Sequence, residues 1–154
     1  MLQKNKIDKS YVHEVEIIYS NKSIFKDVFI KCADDIYKFL KQVYDLRKLD
    51  YKEFFYVVLL DRKNQVIGYS QIGVGNTFGV SVNIKEIFQL AIMSNASGLI
   101  ISHNHPSGQL IPSEADKALT QNLKMGCKYF EIQLIDHIII TSHSYFSFSN
   151  DGIL

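Results

Sequence analysis

The chain has 154 residues, 47% of them hydrophobic, which is enough for one domain with a real core and too few for two. Seventeen basic and sixteen acidic residues leave a formal charge of +1, so tight binding to nucleic acid through charge is not expected. No apolar run approaches the ~18 residues of a membrane span and no signal-peptide pattern follows Met1, so membrane association is not expected either.

The two cysteines, Cys32 and Cys127, form no CxxC pair. They fit a reducing cytoplasm and are expected to be small buried hydrophobes. Residues 1–10 are polar and lysine-rich and are expected to fray. Residues 12–19 alternate apolar and polar side chains, which predicts a half-buried strand with His13 on its polar side. Together with Val28, Phe29 and Ile30 they make residues 1–30 an N-terminal extension, and residues 31–154 the main domain.

In that domain Ile36, Phe39, Leu40 and Val43 recur at helical spacing behind Asp34 and Asp35, predicting a helix over 33–44. A polar link at 46–52 leads to 53–60, so apolar that a central strand is expected. Asp61 to Asn64 then turn the chain into an antiparallel return over 65–72. Gly73, Gly75 and Asn76 lack both GxGxxG spacing and a lysine, so they predict a flexible link rather than a phosphate loop. Residues 85–93 read as a helix with Ile87, Leu90 and Ala91 inward and Glu86 on the polar side, ended by residues 95–98.

The chemistry is concentrated next. The apolar run 98–101 predicts a buried strand, and residues two apart on a strand point the same way, about 7 Å apart at the backbone. His103 and His105 can therefore converge on one ion at the ~2.0–2.1 Å of a zinc–nitrogen bond. Pro106 and Gly108 turn the chain, and a helix opens with Ser113 at its N-cap and Asp116 in its first turn. Taken alone, Ser113 and Asp116 read as a capping box. Two histidines, a turn and an acid in succession, however, fit three protein ligands plus an open water position, the pattern of a catalytic Zn2+ site.

The helix is expected to continue over 118–125 with Leu119 and Leu123 in the core and Gly126 as its stop. Residues 130–135 alternate, and Asp136 and His137 are expected to interrupt the strand before Ile138, Ile139 and Ile140. Since three ligands complete the site, His137 is expected to be structural or to support a ligand. His143 falls in a turn and is expected to be exposed. The residues thus predict an α/β domain with a mixed sheet of about five or six strands and packed helices, its strand order open.

His103-x-His105, seven residues, Ser113, two residues and Asp116 resembles the signature of the JAMM (MPN+, or JAB) metalloproteases. The string SHNHPSG…PSEADKALT is similar to the RadC-like branch of that family, as are Asp136-His137-Ile138-Ile139-Ile140 and Tyr145-Phe146-Ser147-Phe148 before Asp151-Gly152. Asn104 stands where many JAMM proteases carry serine, which fits that branch. The resemblance covers about Asp50 to Leu154 and implies a three-layer, cytidine-deaminase-like JAB/MPN fold. It further implies zinc on His103, His105 and Asp116, Ser113 as a stabiliser of the tetrahedral intermediate, and a glutamate matched here by Glu53 that acts through the bound water. A protein or peptide substrate follows.

Two other functions stand beside this one. A zinc nucleobase deaminase has a related fold but needs His-x-Glu and Pro-Cys-x-x-Cys, and neither is present. A non-catalytic module, associated with DNA repair or binding a protein while keeping the metal site, is the alternative. The helix-hairpin-helix segment of longer RadC-like proteins needs a glycine-rich hairpin, and residues 1–50 hold no glycine, so the resemblance implies a short form without it.

Overall fold

The computed structural model describes residues 28–75 and 81–154. The strand expected at 12–19, the frayed N-terminus and Asn76 lie outside the described residues. In chain order the elements are α1 (Ala33–Val43), one 3-10 turn (Leu46–Lys48), β1 (Phe54–Leu60), β2 (Val66–Val74), α2 (Ile84–Met93), β3 (Gly98–Asn104), α3 (Glu114–Tyr129), β4 (Gln133–Ile140) and β5 (Tyr145–Ser147).

The strands form one mixed sheet in the order β2-β1-β3-β4-β5. Only β3 and β4 run parallel; β1 pairs antiparallel with both β2 and β3, and β4 with β5. A parallel pair needs a long crossover, and α3 supplies it. Helices cover both faces, which is why β1 reads as an unbroken apolar run instead of alternating. On one face Ile36, Phe39 and Leu40 of α1 pack on Tyr56, Val58, Ile100 and Ile138. On the other, Ile87 and Ala91 of α2 and Leu123 of α3 pack on Val57, Leu59, Leu99 and Ile101. The result is the three-layer α/β arrangement of the JAB/MPN fold. No helix among the described residues is long and apolar enough to cross a membrane.

Several local expectations are corrected. Gly126 does not stop α3, which continues to Tyr129 and ends where Glu131 takes a positive φ of 55°. A Cβ at Gly126 would lie 2.5 Å from Cζ of Phe88, so the glycine lets α2 and α3 approach. For the same reason Phe88 is an inward residue of α2, whereas Leu90 is only half-buried. Asp136 and His137 do not interrupt β4. The Asp136 carboxylate accepts hydrogen bonds from His137 N (2.8 Å), Ser147 Oγ (2.6 Å) and Ser149 N (3.0 Å), so a buried acid is accommodated inside the strand. Cys127 is buried, but Cys32 is exposed at the N-terminus of α1.

Candidate metal centre

The site forms where β3 leaves the sheet. Alternation puts Leu99, Ile101 and His103 on the face covered by α2 and α3, and Ser102 and Asn104 on the face covered by α1. His103 is buried, its ring parallel to Phe55 at 6.1 Å. His105 lies just past the strand end, where its N–H donates to Ile140 O at 3.1 Å and keeps the extended path for one more residue. Gly108, at φ 75°, then reverses the chain and closes a turn onto His105 O, which brings Gln109 O to 2.8 Å from His105 Nδ1.

At the start of α3 Ser113 and Asp116 form the expected capping box, and Asp116 also lies beside both histidines. Ser113 Oγ accepts from Asp116 N (3.1 Å), while Asp116 Oδ2 accepts from Ser113 N (2.7 Å) and Ser113 Oγ (2.6 Å): a complete capping box. The same carboxylate reaches the histidines, with Oδ1 3.2 Å from His103 Nε2 and Oδ2 3.8 Å from His105 Nε2. The two Nε2 atoms are themselves 2.9 Å apart. His103, His105 and Asp116 bring their donor atoms within 4.8 Å of one another.

The chemistry of these donors fits a cation. Gln109 O can only accept, so Nδ1 of His105 carries the proton and Nε2 of the neutral ring is a lone pair. That lone pair faces a second imidazole nitrogen and a carboxylate. Burial alone would raise the Asp116 pKa, but its contacts with His103 and His105 and the hydrogen bonds from Ser113 outweigh it and hold the carboxyl well below its usual range. The contact with Asp116 in turn raises the pKa of His105. Two imidazoles and an ionised carboxylate make this a cluster that could hold a metal ion.

Glu53 precedes β1, tied there by Gly75 N donating to its carbonyl at 2.8 Å. It lines a cavity of about 180 Å3 with Phe55, Val82, Ala115, Asp116 and Leu119, so Glu53 and Asp116 border the same space. Burial raises its pKa; the nearby histidines oppose that and Asp116 reinforces it.

The family model of the RadC-like JAB domain matches residues 30–153. The chain belongs to this family. Curated relatives named UPF0758 protein include that of Fusobacterium nucleatum, 38% identical over 138 residues, which cover 87% of this chain and 57% of the relative. The one from Thermotoga maritima is 36% identical over 119 residues, 77% of this chain and 52% of its own. That of Flavobacterium johnsoniae is 41% identical over 101 residues, 66% of this chain and 44% of its own. The chain thus spans about half the length of the curated relatives it matches.

Two supports of this RadC-like site were not found by sequence reasoning. Asn104, buried between the histidines but on the opposite face, donates through Nδ2 to Leu49 O (2.7 Å) and Lys52 O (2.9 Å) and accepts from Phe54 N at 2.7 Å. It thereby clamps the backbone on both sides of Glu53. The signal was an amide at the end of a strand that opens on an apolar run, a residue type that strands disfavour and that burial obliges to find partners. Thr120 is the other. On α3 it touches His137, whose ring lies against His103. Nothing in the spacing of Thr120 marks it, because its partner is reached only after the crossover.

Proposed function

We propose that this RadC-like JAB domain is a zinc-dependent hydrolase that cleaves a peptide or isopeptide bond. The observation that carries the reading is the convergence of His103 Nε2, His105 Nε2 and the Asp116 carboxylate beside a cavity that Glu53 also lines. His103, His105 and Asp116 would hold the ion. Bound there, zinc would supply Lewis acidity and lower the pKa of a water toward ~7.

The other residues then have separate tasks. Glu53 is partly desolvated and its proton affinity is raised, which suits a group that must hold a proton between two steps. It takes a proton from the attacking water as oxygen bonds to the carbonyl carbon, and returns it to the nitrogen as the C–N bond breaks. In this reading Ser113 and backbone N–H groups at the start of α3 stabilise the developing oxyanion; for this, the Ser113 hydroxyl exchanges its bond to Asp116 for one to substrate. The substrate is a protein or peptide, the compartment the cytoplasm, and the balanced charge argues against tight binding to nucleic acid.

The test is Glu53→Gln. The variant should keep its zinc and lose cleavage of a library of linear and isopeptide-linked peptides by at least the ~100-fold typical of a lost general base. Cleavage at the wild-type rate in that variant would remove Glu53 from the mechanism. A zinc-loaded wild type that cleaves nothing in the library would favour a binding module that keeps its metal.

A further inference from the structure

Behind His103 lies a buried chain of hydrogen bonds that takes no part in the chemistry above. Thr120 Oγ1 lies 2.6 Å from the backbone oxygen of Asp116 and 2.7 Å from His137 Nδ1. His137 Nε2 lies 2.9 Å from His103 Nδ1. We propose that Thr120 and His137 are positioning residues that lock His103 in the tautomer whose Nε2 is free to bind metal, and that fix α3 against β3 at the distance the metal requires. This inference rests on the metal reading of the site.

The argument is a placement of protons. A carbonyl oxygen only accepts, so the single hydroxyl proton of Thr120 is committed to Asp116 O. A threonine bonding back to the carbonyl four residues earlier is ordinary in a helix and by itself says nothing. Here, however, the same oxygen must then accept from His137, which puts a proton on His137 Nδ1. The His137 ring is fully buried, stacked on Phe148 with centroids 4.4 Å apart, and a ring so placed is neutral. Its Nε2 is therefore a lone pair and accepts from His103 Nδ1–H. In neutral His103 this leaves Nε2 as a lone pair, pointing to His105 Nε2 and Asp116 Oδ1.

Because the chain begins at a backbone carbonyl, which has no proton to give, its direction is set from one end. It also begins and ends at the same residue: it leaves the Asp116 carbonyl and returns opposite the Asp116 carboxylate. A metal held by His103 and Asp116 would close this chain into a ring joining β3, β4 and α3. Removing a link should weaken metal binding although neither Thr120 nor His137 would touch the ion, by the 10–100-fold typical of groups that orient ligands.

The test uses the full chain and zinc itself, titrated against a chromophoric chelator, with thermal melting to verify folding. Thr120→Val keeps the shape and deletes both hydrogen bonds, His137→Phe keeps a ring against Phe148, and Thr120→Ser keeps the hydroxyl. The first two should bind zinc roughly 10–100-fold more weakly, and Thr120→Ser should bind like wild type. A long-range 15N–1H correlation spectrum of the metal-free wild type should show His103 and His137 protonated at Nδ1, a readout that decides the matter even if a variant fails to fold. Folded Thr120→Val with wild-type affinity, or His103 protonated at Nε2, would overturn the inference. A wild type that takes up no zinc would instead overturn the metal reading beneath it.

Discussion

His103 and His105 are two residues apart and aim the same atom at the same point, yet they are held by opposite means. The side chain of His103 is 1% exposed, inside the sheet, between Phe55 and His137. That of His105 is 16% exposed and is held by a loop carbonyl, while Asp116, at 15%, is held by a helix cap. The inner half of the site is set by packing that the fold cannot give up. The outer half is set by a turn and a cap, local devices that the sequence carries within a few residues. The candidate ligands thus comprise one fixed member and two that depend on short-range geometry.

The comparison breaks or sharpens first at the histidines. Both His103→Ala and His105→Ala should abolish metal binding, but their costs in stability should differ. His103→Ala opens a cavity and strands His137 Nε2, which should cost about 2–4 kcal/mol in chemical denaturation of the metal-free protein. His105→Ala, only partly buried and outside the sheet, should cost less than about 1 kcal/mol. Equal costs would mean that the inner half is not the more strongly built.

Asn104→Ser comes next. It leaves Leu49 O, Lys52 O and Phe54 N short of a partner, so a loss of about 1–3 kcal/mol is expected with zinc still bound. Hydrolysis should fall further than zinc affinity, because the clamp flanks Glu53 and not the ligands. Affinity and activity falling together would place Asn104 with the ligands instead. The smallest effect is expected at the outer rim, where Ser113→Ala removes a cap worth about 0.5–2 kcal/mol and one hydrogen bond to Asp116, lowering zinc affinity only modestly.

What could be read from the sequence divides along the same line. The approach of His103 to His105 follows from strand alternation, and that of Asp116 from a turn and a cap, all within fourteen residues. The apolar run of β1 announced a central strand, and β1 lies between β2 and β3. What could not be read depends on contacts between distant elements. Gly126 looks like a helix stop until Phe88 is seen lying over it. Asp136 looks like a break in a strand until Ser147 and Ser149 are seen to satisfy it. Thr120 and His137 meet His103 only once α3 has crossed from β3 to β4. Asn104 serves a loop some fifty residues earlier in the chain.

The most direct test of the metal centre is the metal content of the protein purified without a histidine tag, by elemental analysis, beside the His103→Ala/His105→Ala double variant. About one zinc per chain in the wild type and none in the variant is the expected result. Zinc retained by the variant, or no metal in either protein and none taken up when zinc is added, would contradict the site.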